Sequence, residues 1–124
     1  MKITELAFAS YPVTDIARAR AFYEGVLGLE VTTENNMGDG GHWIEYDIGA
    51  TTLGIGRAED WKPGSDGCSV ALEVEDFDSA ISELRKAGTP FRMGPFETPV
   101  CHMAMVNDPD GNTVIIHRRK PGHR

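Results

Sequence analysis

Glu73 and His117 are the two side chains that read most directly as chemistry. A carboxylate close to an imidazole raises the imidazole's pKa and fixes its tautomer, which makes a general acid–base pair. At strand ends the same two residues would be solvated surface groups, and the sequence leaves both readings open. With one further donor, Glu45 or His42, the pair would make a divalent-metal site. Cys101-His102 has the types of a nucleophile and its base. Neighbours on a strand point to opposite faces, so this pair reads as packing rather than catalysis. Trp43, Trp61 and Phe96 are the aromatic candidates. Trp61 falls in a Pro/Gly-rich stretch, where an aromatic closes over a ligand, packs at a dimer interface, or serves only structure. Met103 and Met105 share a strand face and are expected in the core, with ligand contact as the alternative.

Elements must position these groups, and the chain writes its elements twice. Val13-Thr14-Asp15-Ile16 with Ala19 returns 61 residues later as Val74-Glu75-Asp76-Phe77 with Ala80. Asp47, Thr52, Leu53, Ile55 and Arg57 return as Asp108, Thr113, Val114, Ile116 and Arg118. A constant offset marks a duplicated unit folded as two modules about a pseudo-twofold axis.

In the first module, 6–13 reads as a strand, Asp15 as a helix cap and Gly28 as the helix stop. Ile16, Ala19, Phe22, Tyr23, Val26 and Leu27 form the buried stripe. A strand is expected over 29–33, a turn over 35–41, and strands over 42–48 and 51–57 joined at Gly49-Ala50. The second module repeats the order. A strand over 69–74 leads to the Asp76 cap, a stripe of Phe77, Ala80, Ile81, Leu84 and Ala87, and the Gly88 stop. Strands follow over 91–93, 102–106 and 113–117, with Asp108-Pro109-Asp110-Gly111 as a hairpin turn. The helix surfaces, Arg18, Arg20 and Glu24 on one and Glu83, Arg85 and Lys86 on the other, are expected to be solvated. The fold class is α+β, βαβββ twice, in a single domain over 1–124: module one 3–57, linker 58–67, module two 68–120.

At 124 residues, 40% hydrophobic and 25% charged, this is one ordinary globular domain. A net charge of -7 argues against nucleic acid, whose phosphates need a basic partner. The basic cluster Arg118-Arg119-Lys120 with Arg124 is expected to be a frayed, solvated tail. No apolar run is long enough to span a membrane, and Glu5 interrupts any signal peptide, so a cytoplasmic location is expected. Cys68 and Cys101 are then reduced thiols, and without C-x-x-C spacing they form no zinc knuckle.

Val13-x-Asp15, then Ala21-Phe22-Tyr23-x-x-x-Leu27-Gly28-Leu29, with Asp108-Pro109-Asp110-Gly111-Asn112 near the end, resembles the vicinal oxygen chelate superfamily. That group holds glyoxalase I, extradiol dioxygenases and the bleomycin-resistance binding proteins. The resemblance covers the whole chain and implies eight strands forming a U-shaped cleft, helices outside, usually in a homodimer. It places the family's metal ligands at Phe8, Gly54, Ser69 and Ile115, none of which is a competent ligand. Period-2 alternation then puts Ser10, Glu73 and His117 on the same cleft face. Phe8, Ser10, Trp43, Gly54, Trp61, Ser69, Glu73, Ile115 and His117 are the expected ligand-binding residues.

The resemblance and the missing donors imply a metal-free protein that binds a small molecule, aromatic or cationic, in an apolar cleft between modules or subunits. No cofactor is expected, and a divalent metal only if its site has moved. The alternative is a lyase, isomerase or dioxygenase using a relocated metal or the Glu73/His117 pair. A third reading is an interaction or regulatory domain with a vestigial cleft.

Overall fold

The computed structural model describes residues 1–38 and 40–123. The chain divides into two compact units, Met1–Pro63 and the remainder from Gly64. The first contains β1 (Ala9–Pro12), α1 (Ile16–Arg20) continuing into a π-helical segment (Ala21–Val26), β2 (Thr33–Gly38), β3 (Gly41–Ile48) and β4 (Thr51–Arg57). The second contains β5 (Val70–Glu73), α2 (Phe77–Lys86), β6 (Phe91–Glu97), β7 (Cys101–Asn107) and β8 (Thr113–Arg119). Each unit is βαβββ with one four-stranded mixed sheet, ordered β1-β4-β3-β2 and β5-β8-β7-β6. The α+β two-module class expected from the sequence is the one observed.

The repeated residues do the same work in both units. Asp15 and Asp76 cap their helices from extended backbone, accepting from Arg18 N at 3.0 Å and Ser79 N at 3.1 Å. β1 pairs parallel with β4 with Ala9 opposite Leu53, and β5 with β8 with Val70 opposite Val114, so the 61-residue offset holds through the ladders. Each sheet buries one face. Leu53, Ile55, Ile44 and Tyr46 are buried in the first unit, and Val114, Ile116, Ala104 and Val106 in the second, where Ile81 and Leu84 of α2 are buried too. Tyr23 stacks with Tyr11 at 6.2 Å and with Tyr46 at 6.3 Å.

The repeat fails at one point in the helix. Asp15 to Gly28 spans one residue more than Asp76 to Gly88. The extra residue is absorbed as a π turn, with Leu27 N donating to Phe22 O at 2.9 Å. That segment carries Glu24, which corrects the expectation that Arg20 and Glu24 are plain solvated groups. Glu24 accepts from the Tyr46 hydroxyl at 2.9 Å and from Arg20 Nε at 2.8 Å. Arg20 also reaches Glu34, which meets His42 Nε2 at 2.7 Å. Burial, then the Glu24 carboxylate, pushes the Tyr46 hydroxyl pKa up. Tyr46→Phe is expected to cost about 1.5–3 kcal/mol, the worth of a hydrogen bond to a charged group, read as a lower denaturant midpoint at unchanged slope.

Other expectations are corrected. β1 and β5 are shorter than 6–13 and 69–74. No strand occupies 29–32; β2 begins at Thr33 and takes in Asn35 and Asn36, expected as a turn. β2 lies at the edge of its sheet and its polar side chains are exposed, so backbone pairing with β3 holds it without an apolar pattern. Asp39 of the expected turn and Arg124 of the expected tail lie outside the described residues. Arg118 and Arg119 belong to β8, and Lys120 pairs with Glu97, so the basic cluster is not a frayed tail. Ala87 is the exposed C-cap of α2 rather than part of its stripe. Met103 and Met105 are half-buried on the sheet face away from the core. Arg85 is exposed, as expected, and lies over the Phe91 ring at 5.7 Å. Asp47 and Asp108 are not equivalent: Asp47 sits in β3 and accepts from Thr52 Oγ1, while Asp108 organises the β7–β8 loop.

Candidate functional site

The first unit's sheet presents an aromatic surface on the face opposite its core. Strand alternation puts Ser10, Gly54, Gly56, Trp43 and Glu45 on that face, with Ser10 paired to Gly54, Glu45 to Gly54 and Trp43 to Gly56. Trp43 lies flat on the glycines. A Cβ at Gly54 would fall 2.5 Å from the Trp43 ring, and one at Gly56 would fall 2.8 Å from Trp43 and 2.9 Å from Trp61. The two indoles rest side by side, centroids 6.4 Å apart and planes 27° from parallel. Phe8 stands nearly perpendicular to Trp43 at 5.8 Å. The Trp43 indole N–H donates to Glu45 Oε2 at 2.7 Å, which fixes the ring and leaves a carboxylate at its rim. Trp61 is held by a small turn in which its N–H donates to Ala58 O at 3.2 Å. Of the sequence candidates, Phe8, Ser10, Trp43, Gly54 and Trp61 therefore fall on this one face. Glu45 and Gly56 complete it. The sequence offers Glu45 only as a displaced metal ligand, although its i, i+2 spacing from Trp43 is visible.

The second unit's corresponding face carries Glu73 and His117, ladder partners on β5 and β8. Glu73 Oε1 lies 2.6 Å from His117 Nδ1, and Glu73 Oε2 accepts from Arg119 N at 2.8 Å. Guanidinium nitrogens of Arg119 and Arg118 lie 3.6 Å and 3.9 Å from the carboxylate. Burial works to raise the Glu73 carboxyl pKa, but the Arg119 N–H, His117 and the Arg119 charge outweigh it, and the net shift is downward. A carboxyl lowered by folding adds stability that is whole above the ordinary carboxylate range and is lost as pH falls through it. Glu73→Gln should therefore flatten part of the fall in Tm on acidification, read from melts at a series of pH values. Ile115 shares this face two residues before His117, whereas Ser69 is exposed and precedes β5. Cys101 is buried with its sulfur 3.1 Å from Thr98 Oγ1, and His102 packs on Phe77 at 5.6 Å.

The side chains at the positions that the resemblance assigns to metal ligands do not suit a metal ion. Phe8, Gly54 and Ile115 have no donor atoms, and Trp43 occupies the space any side chain at 54 would need. Among the described residues no three His, Cys, Asp or Glu side chains gather to hold an ion, and Glu45, His42, Glu73 and His117 do not form such a group. On the α2 side of the second unit a groove of about 510 Å³ is lined by Phe77, Ile81, Arg85, Pro95, Phe96 and His102. Sequence reasoning named Phe96 but missed the groove.

Residues 5–116 match the family model described as Glyoxalase/Bleomycin resistance protein/Dioxygenase superfamily. No curated protein matches the chain. Among solved structures, TnmS3, an antibiotic binding protein from Streptomyces sp. CB03234, is 26% identical with a TM-score of 0.76, covering 97% of this chain and 99% of its own. A superfamily member from Sphaerobacter thermophilus DSM 20745 is 27% identical with a TM-score of 0.77, covering 94% and 98%. A glyoxylase/bleomycin resistance protein/dioxygenase domain from Frankia sp. EAN1pec has a TM-score of 0.80 over 98% and 96% at 17% identity, a likeness of fold alone. Among the described residues no helix is long and apolar enough to cross a membrane.

Proposed function

Because the chain belongs to the Glyoxalase/Bleomycin resistance protein/Dioxygenase superfamily, we propose that it binds a small planar aromatic molecule, without a metal, on the Trp43–Trp61 face of its first unit. The observation that carries this reading is the pair of indoles lying on the backbone of Gly54 and Gly56. Glycine at both positions sacrifices side-chain packing in the sheet, and what it permits is a flat, half-buried aromatic floor. Such a floor gains stacking energy from any planar ring laid on it, about 1–3 kcal/mol per stacked ring by analogy with bases on aromatic platforms. Glu45 at the rim favours a ligand bearing a positive charge or a hydrogen-bond donor, as does the net charge of -7. The likeness to TnmS3, an antibiotic binding protein, supports a small molecule as the ligand. A homodimer belongs to the same reading. Ile3 and Leu6, 82% and 71% exposed ahead of β1, are apolar side chains a second copy would cover. So does a cytoplasmic location, in which free Cys68 and Cys101 stay reduced.

The test is a panel of fused-ring aromatics, neutral and cationic, offered to chelator-treated protein, with tryptophan emission and Tm as readouts. A compound at 100 times its Kd should add about 2.7 kcal/mol, a rise in Tm of several degrees. It should be recovered chemically unchanged. Binding that appears only after a divalent metal is added, or a panel that leaves emission and Tm untouched, contradicts the proposal.

A further inference from the structure

We propose that Glu73 and His117 form a proton-accepting dyad, with His117 Nε2 as general base towards a small molecule bearing an acidic C–H or O–H bond. The 2.6 Å contact places the Glu73 carboxylate on His117 Nδ1. A proton held at Nδ1 by a carboxylate leaves the lone pair on Nε2, the arrangement that orients an imidazole as a base. The carboxylate is itself fixed, because its second oxygen takes the Arg119 backbone N–H at 2.8 Å. Among the described residues no side chain or backbone group bonds His117 Nε2, and the imidazole is 22% exposed. Its neighbours on the face are Ile115 on β8 and its ladder partner Met103, which do not compete for the proton. The Arg119 N–H and charge favour the ionised carboxylate of Glu73, and the Arg118 and Arg119 guanidiniums supply positive charge near an anion left behind.

The scaffold does not require this pair. Under the 61-residue repeat Glu73 and His117 stand where Pro12 and Gly56 stand in the first unit. The same parallel ladder is built there without a titratable group. One sheet has thus been given aromatic rings and the other a carboxylate–imidazole pair, and the dyad adds an activity that binding alone does not need.

The probe is 5-nitrobenzisoxazole. The base takes its C3 proton, the C–H electron pair becomes the third bond of a nitrile, the N–O bond breaks, and a coloured phenolate leaves. The imidazolium then returns its proton to water. The wild-type protein should release phenolate with saturation and, per residue, about 100-fold faster than free imidazole at equal concentration. His117→Gln should return to background while keeping the wild-type Tm within a few degrees. Glu73→Gln should lower kcat, and the ¹⁵N shifts of His117 should change from the Nδ1–H tautomer to a mixture. A wild-type rate no higher than free imidazole overturns the proposal, as does a His117→Gln rate equal to wild type. The assay reads proton removal rather than occupancy of the Trp43 face, so either proposal can fail alone.

Discussion

Trp43→Ala is expected to weaken a planar aromatic ligand by about 30-fold or more, the loss that follows when about 2 kcal/mol of stacking and desolvation is removed from an aromatic anchor. Trp43 is the centre of the face. It covers Gly54, touches Trp61, meets Phe8 and holds Glu45. Truncation leaves bare backbone at two glycines and frees the Glu45 carboxylate. Trp43→Phe should recover part of the affinity, because a flat ring returns without the indole N–H. Gly54→Ala approaches the same floor from below. Its Cβ would lie 2.5 Å from Trp43, so the ring must lift, and affinity should fall although every aromatic side chain is still present. Titration of the three variants by calorimetry separates these cases. Equal affinity in wild type, Trp43→Ala and Gly54→Ala would place the ligand elsewhere.

Asp108→Ala is expected to be the most damaging substitution to stability. Asp108 is 3% exposed and Asn112 2% exposed. Asp108 Oδ1 accepts from Asp110 N and Asn112 N, each at 2.9 Å, and Oδ2 from Asn112 Nδ2 at 2.9 Å. Alanine removes the carboxylate on which three donors of the loop converge, a cost of about 3–5 kcal/mol or a fall in Tm of roughly 10–20 °C. Asp108→Asn keeps one acceptor and turns an amide towards the Asn112 amide, and should fall between. The loop joins β7 to β8, and β8 carries His117, so loosening it should also lower any activity of the dyad. Thermal melts of the two variants check the order.

The duplicated fold was legible because the residues that repeat are those whose chemistry fixes geometry. Asp15 and Asp76 cap helices, and Leu53 and Val114 sit at matched ladder positions. The π turn was not legible from the caps alone. It follows from the glycine stops, Gly28 and Gly88, which depart from the 61-residue offset by one. β2 was hidden because its polar side chains show no alternation, and the pairing that makes it a strand lies in β3. Of the candidate site, alternation placed Phe8 with Ser10 and Glu73 with His117. It could not show that Gly54 and Gly56 serve as a bed for Trp43, because the approach of a ring to a backbone is a property of packing. Arg20 and Glu24 read as solvent-facing because nothing local to the helix points to the Tyr46 hydroxyl, 22 residues away.

The chain has two tryptophans, Trp43 and Trp61. Trp61→Phe keeps an aromatic ring beside the floor and leaves Trp43 as the only indole. Emission from this variant, chelator-treated and titrated with a planar aromatic ligand whose binding is followed in parallel by calorimetry, tests the central claim most directly. Saturable quenching at the same Kd as the calorimetric curve, with one ligand per chain, is the expected result. Heat of binding with no change in Trp43 emission would contradict it.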